Sequence, residues 1–262
     1  KGVGIFTTYG HSVGEFLFSS QWAPADNAQG GGKVGAAIFI FGSIITCALA
    51  LLISTPFSIA SAIFMTEISP GIGRKILQPA VEIFVGIPSV VYGWIGLTIL
   101  VPFIKDLFDL KFGFSVLAAG IVLAVMIYPT ITSLSADAIR SIPKSFRQAS
   151  YGLGATRWQT ISQVVIPASK SGLMTAIVLG LARAFGEALA VAMVIGKMKA
   201  FPESLLSPTT NLTAAIASDM GGAMEGSEYN IALWSMALLL FIISLVFIFI
   251  IHYISAKGGH KA

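Results

Sequence analysis

The sequence predicts an all-α fold, a polytopic bundle of transmembrane helices. Three observations carry the prediction. Hydrophobic residues make up 55% of the 262 positions and charged residues 11%, where a soluble domain carries about 25% charged residues. The few charges are clustered, which leaves uncharged windows of span length between them. The connections between the windows are polar and differ in basic content, the asymmetry that orients helices in a membrane. A chain this short of charge cannot cover a water-facing surface, so lipid is its expected solvent.

The windows follow in order. No charge falls between Lys33 and Glu67, between Lys111 and Asp137, or between Glu228 and Lys257. Glu82 alone interrupts the stretch from Lys75 to Lys105. Arg183 and Glu187 alone interrupt that from Lys170 to Lys197. Each window holds the roughly 20 residues a spanning helix needs. Lipid forces backbone groups to bond within their own segment, so the five spans are helices.

Around them the chain divides into an external segment, 1–33, a membrane domain, 34–256, with a long polar loop at 133–169, and a tail, 257–262. The chain opens on Lys1, already outside the membrane, so a sixth span is expected ahead of it. The aromatic stretch from Phe16 to Trp22 fits an interfacial segment or an ordinary loop.

An alternating path puts the turn at Glu67 to Lys75, the loop at 133–169 with Lys170, and the tail on one side. That side carries nine basic residues against six on the other, so it is cytoplasmic. Pro56, Pro88, Pro102 and Pro129 interrupt the windows. Each removes a backbone donor, and together they predict irregular helices around a path.

Several function classes are excluded. The lone Cys47 can form neither an intrachain disulfide nor a metal cluster. No basic patch interleaved with aromatics suits nucleic acid. No GxxxxGK[ST] phosphate loop is present. His11, His252 and His260 lie away from the apolar centres, and no HExxH or nucleophile elbow accompanies them.

Arg183 and Glu187 are the most informative pair. A charge at the bilayer centre costs at least about 2.5–3.5 kcal/mol, so such residues face the protein interior and mark sites. Their i, i+4 spacing puts them on one helix face, where they can pair. A purely structural ion pair is the alternative, although buried pairs seldom outperform apolar packing. The same window carries Gly172, Ala176, Gly180, Ala184, Ala188 and Ala192, a stripe that lets another helix approach closely. Glu82, near the cytoplasmic end of its span, is expected to reach the interface or to pair with Arg74 or Lys75.

The polar loop is amphipathic. Ser141 is a candidate helix cap with Pro143 in the first turn, and Gly152 or Gly154 ends that helix. A second helix is expected from Thr156 to Val165. Exposed Phe146, Tyr151 and Leu153 suit a partner's groove or a surface of anionic lipid.

Within this loop Gln148-Ala149-Ser150, then Gly154, then Val164-Val165-Ile166-Pro167 resembles the EAA signature of ABC importer permeases. In that signature Glu-Ala-Ala is followed after three residues by Gly, and after nine more by Ile-x-Leu-Pro. The spacing is intact, with Gln148 in place of the acid. The resemblance implies a type I importer permease of the MetI-like class. Phe146, Arg147, Gln148, Ala149, Ser150, Gly154 and Arg157 would form its ATPase-docking loop.

Further segments resemble the PstC family of phosphate permeases. They are Glu82-Ile83-Phe84-Val85-Gly86-Ile87-Pro88-Ser89-Val90-Val91-Tyr92-Gly93, Met126-Ile127-Tyr128-Pro129-Thr130-Ile131, Arg183-Ala184-Phe185-Gly186-Glu187-Ala188-Leu189-Ala190-Val191, and Asn211-Leu212-Thr213-Ala214-Ala215-Ile216-Ala217. Ala188 stands where that family carries Thr.

This likeness implies a multi-pass protein of the bacterial cytoplasmic membrane, with no catalysis and no cofactor of its own. Its partners would be a PstA-like permease, a PstB-like ATPase dimer using ATP and magnesium, and a PstS-like binding protein. The midplane guanidinium offers a forked donor set to an oxyanion. The Glu187 carboxylate would accept the proton that phosphate carries and sulfate lacks. Rival readings are a permease for sulfate or molybdate, and an ion-coupled secondary transporter. The latter often shows repeated halves, and no internal repeat is visible here.

Overall fold

The computed structural model describes the backbone of residues 1–259 and the side chains of residues 1–254. The predicted tail, 257–262, lies outside the described residues from 260 onward. Short helices α1 (Gly4–Thr7) and α2 (Val13–Phe18) and strands β1 (Trp22–Ala23) and β2 (Lys33–Val34) precede the first span, α3 (Ala37–Ile68). Then come α4 (Gln78–Gly86), α5 (Ser89–Leu107), α6 (Val116–Arg140), α7 (Lys144–Gly152) and α8 (Arg157–Gly186). Helices α9 (Leu189–Val194), α10 (Leu212–Asp219) and α11 (Glu228–Gly259) close the chain. Among the described residues, α3, α5, α6, α8 and α11 are the five helices long and apolar enough to cross a membrane. The all-α class and the span count stand as expected.

Two windows differ from expectation. The stretch from Lys75 to Lys105 is not one helix. It breaks after Gly86, where Ile87 is extended and Pro88 is the N-cap of α5, because proline forces its predecessor out of the helical region. Glu82 therefore sits on α4, ahead of the span, with an exposed side chain. The window holding Arg183 also breaks, with α8 ending at Gly186. Pro56 and Pro129, by contrast, stay inside α3 and α6.

The chain forms two compact units. One comprises Lys1–Ala50, Pro88–Leu123 and Ala184–Leu245. Its core includes Ile5, Phe16, Val34, Phe39, Leu233 and Met236. Trp22 turns inward, its ring 4.8 Å from that of Phe39 and 6.3 Å from that of Tyr229. Phe16 and Trp22 thus serve the core, where large rings bury much apolar surface, whereas Phe18 between them is exposed.

The N-terminal segment of this unit is pinned on Glu228, whose side chain is fully buried. Its carboxylate accepts hydrogen bonds from the backbone N–H groups of Ala25 (2.7 Å), Gly31 (3.2 Å) and Gly32 (2.8 Å) and lies 2.7 Å from His11 Nε2. The glycine run is required here. Gly31 has φ +98°, and a Cβ on Gly32 would stand 2.4 Å from Glu228 Oε2.

The other unit comprises Leu51–Ile87, Ala124–Arg183 and Val246–Ala262. Its core packs Ala62 and Ile63 of α3 against Ala136 and Ile139 of α6 and Ile161, Val165 and Leu173 of α8. Ser58 Oγ donates to the Tyr128 carbonyl at 3.2 Å, and Ser61 Oγ lies 2.8 Å from the Tyr128 hydroxyl. The small-residue stripe is closed within the chain. A Cβ on Gly172 would meet Ala138 Cβ at 2.5 Å, and one on Gly180 would meet Ile131 Cγ1 at 2.5 Å. At these positions it serves helix α6 of the same chain.

Candidate functional site

Arg183 lies in the last turn of α8. Its Nη1 donates to the hydroxyl of Thr130 on α6, directly after Pro129. Among the described residues no carboxylate is paired with it. A guanidinium carries five N–H donors, so most of its capacity is uncommitted to protein groups.

Glu187 follows the end of α8, and the expected i, i+4 geometry on one continuous helix is lost. Its Oε1 instead accepts from the Ala190 N–H at 3.1 Å, at the start of α9. The carboxylate satisfies one of the orphan donors that every helix start exposes. The Glu187 carbonyl, freed by the break, accepts from Thr213 Oγ1 at 2.7 Å. Asn211 Oδ1 caps α10 by accepting from the Ala214 N–H at 2.8 Å. The segment from Asn211 to Ala217 therefore supports the broken backbone. Thr130 and Thr213 are the partners the sequence reading did not single out. The only available signal was their place inside the quoted motifs.

Glu82 accepts from Gln78 Nε2 at 3.0 Å, one turn back on α4. Its expected partners, Arg74 and Lys75, are not bonded to it. Gln78 in turn accepts from Arg140 Nη2 at 3.1 Å. Glu82 thus belongs to a polar cluster lining an open pocket with Arg74 and Arg140.

The polar loop holds a short helix over Lys144–Gly152, with Gly154 at φ +81° beyond it. Its N-cap is Pro143, not Ser141, whose hydroxyl donates to the Ala138 carbonyl at 2.8 Å. Thr156 and Gln159 form a reciprocal capping box. The helix they open runs on through a wide turn at Ile161–Val165 into the membrane. Pro167 falls in its interior and separates nothing.

The loop residues divide into two sets. Phe146, Gln148, Ala149 and Gly154 are exposed. Phe146, Ala149 and Leu153 line an open, mainly apolar groove of about 620 Å³. Ser150, Arg147 and Arg157 are engaged within the chain. Ser150 Oγ lies 2.9 Å from Thr160 Oγ1, buried. Arg147 bonds the Glu67 carboxylate, with Nη2 to Oε1 at 2.6 Å. It also donates to the carbonyls of Ile142 (2.8 Å) and Ile139 (3.0 Å). Arg157 Nη2 donates to the carbonyls of Glu67 and Ile68. Glu67, which sequence reasoning passed over as a turn charge, is the hub of this network.

Comparison with known proteins agrees with this architecture. Residues 54–258 match the family described as "Binding-protein-dependent transport system inner membrane component". The chain is 54% identical over 257 residues to the "Probable ABC transporter permease protein YqgH" of Bacillus subtilis (strain 168), spanning 98% of this chain and 82% of that protein. It is 37% identical over 279 residues to the "Phosphate transport system permease protein PstC" of Pasteurella multocida (strain Pm70), spanning 98% and 84%. Among solved structures, a chain of the inward-facing MetNI methionine ABC transporter superposes with a TM-score of 0.62 at 20% identity, over 84% of this chain and 96% of that one. An amino acid ABC transporter crystallised with histidines gives 0.60 at 15% identity, over 84% and 92%. At such identities the structural likeness speaks to the fold alone. With five membrane helices and a family match over most of its length, the chain belongs to the binding-protein-dependent transport system inner membrane component family.

Proposed function

We propose that this chain is the permease subunit of an ATP-driven importer that carries inorganic phosphate across the cytoplasmic membrane. The observation that carries the reading is the guanidinium of Arg183, held by the Thr130 hydroxyl in a membrane helix and paired with no carboxylate among the described residues. An uncompensated charge in that setting is expensive and is kept where a counter-charge passes. A forked donor set suits the oxygens of phosphate. Relatives named as phosphate permeases support the choice of anion.

Glu187 supplies the second element. Its Oε1 is committed to the Ala190 N–H. Its other oxygen is the acceptor we assign to the proton of HPO₄²⁻ or H₂PO₄⁻. Sulfate has no such proton at neutral pH and would meet a bare carboxylate, so Glu187 selects against it by repulsion.

The chain performs no chemistry and binds no cofactor of its own in this reading. A separate ATPase dimer would hydrolyse ATP with magnesium and dock on α7 through the groove at Phe146, Ala149 and Leu153. A second permease and an external binding protein would complete the importer. Transport by the assembled complex in ATP-loaded vesicles tests it. Labelled inorganic phosphate should accumulate only with ATP, and excess sulfate or molybdate should not compete. Equal competition by sulfate would refute the assignment of the anion.

A further inference from the structure

We propose that Glu67 is a positioning residue for energy coupling. It fastens the ATPase-docking helix to the cytoplasmic ends of two membrane helices, so that displacing α7 moves both. The proposal deepens the importer reading and rests on α7 being the docking helix.

Helix α7 has nine residues, too few to be stable alone, so what it is tied to decides how it moves. Its strongest tie is Arg147. The guanidinium sends Nε to both oxygens of Glu67 (3.1 and 3.2 Å) and Nη2 to Oε1 (2.6 Å). Its remaining donors reach the carbonyls of Ile139, next to the last residue of α6, and of Ile142. Both side chains are largely buried, with 18% and 10% exposed. Arg157, at the start of α8, adds donations to the Glu67 and Ile68 carbonyls. One acidic residue at the end of α3 thus organises both arginines that flank the docking surface.

Next to this hub lies the packed core of Ile63, Ile139, Ile161 and Val165. Interiors at native density shift as bodies and deform little. A load on α7 therefore passes through Arg147 to α3 and to α6. Helix α6 also carries Thr130, the partner of Arg183. The carboxylate is specific to the task, because a planar fork needs two acceptor oxygens in its plane. A Gln at this position would turn an N–H₂ toward the guanidinium.

The test uses the assembled importer in proteoliposomes, with inorganic phosphate uptake and ATP hydrolysis measured together. Glu67→Gln should leave the ATPase in the purified complex yet lower phosphate moved per ATP by about tenfold. Glu67→Asp, which retains the charge, should recover most of the ratio. An unchanged ratio in Glu67→Gln, or equal losses in both variants, would overturn the proposal. If Glu67→Gln does not accumulate, Arg147→Lys probes the strut from its other end; a lowered ratio supports the proposal and a wild-type ratio overturns it. Docking is scored separately. Phe146→Asp should strip the ATPase from the purified complex, and its retention would sink the docking reading whatever the Glu67 variants do.

Discussion

Arg147 and Glu67 stand 80 residues apart in the chain, and their closest charged atoms are 2.6 Å apart. The contact joins the polar turn after α3 to the helix that carries the EAA-like motif. It is bidentate, mostly buried and backed by two carbonyl acceptors on the same guanidinium. That geometry separates it from surface ion pairs, which contribute little.

Replacing Arg147 should therefore be costly. A lysine is a compact point charge and cannot reproduce the fork. Arg147→Lys should lower stability by about 1–3 kcal/mol through unpaired buried acceptors. Thermal unfolding of the purified protein in detergent measures this. No shift would mean that the carbonyls find water as readily as they find Arg147.

The N-terminal segment should loosen at alkaline pH. His11 Nε2 lies 2.7 Å from Glu228 Oε1, and Nδ1 lies 3.2 Å from Glu15 Oε2. A neutral ring has one N–H and can donate to only one of them. Burial disfavours the charged ring, yet the bonds to Glu228 and Glu15 outweigh it and raise the pKa above the ordinary 6.5. A raised folded pKa means the stabilisation is complete below pH 6.5 and fades as pH climbs through the raised value. Wild type should exceed His11→Gln in thermal stability at mildly acid pH, and the gap should close in base. A gap that is constant with pH would contradict the doubly bonded imidazolium.

Gly32→Ala should disorder the same segment. The added methyl would stand 2.4 Å from both the Ala25 nitrogen and Glu228 Oε2. Overpacking of this kind costs about 1–3 kcal/mol. Limited proteolysis should cut residues 1–33 faster in the variant than in wild type.

Thr130→Val should impair transport without impairing assembly. It preserves shape but removes the hydroxyl that orients Arg183. Loss of one hydrogen bond to a charged group is worth roughly 1.5–3 kcal/mol. Uptake should fall by about tenfold or more while abundance in the membrane stays normal.

Much of this fold was legible because the charges of the chain are so few. The five apolar windows needed only the positions of Lys, Arg, Asp and Glu. The break after Gly86 was foreshadowed by Pro88. That at Glu187 was not, because Gly186-Glu187-Ala188 carries no proline and lies within a window of span length. The break depends on Thr213 supplying a partner from elsewhere in the fold, beside the local Ala190 N–H. Glu67 and Glu228 escaped notice for a related reason. Each lay at the edge of a window, where a charge is unremarkable, and their partners are distant in sequence. Phe146 was recognised as exposed from its place in the loop, whereas the inward turn of Arg147 needed coordinates.

The central claim is that Arg183 serves the passing anion. Uptake of labelled inorganic phosphate by the assembled importer, compared between wild type and Arg183→Gln at equal membrane abundance, tests it most directly. The account predicts that uptake is abolished in the variant while the complex still assembles and retains its ATPase. Phosphate accumulation at the wild-type rate in Arg183→Gln would contradict it.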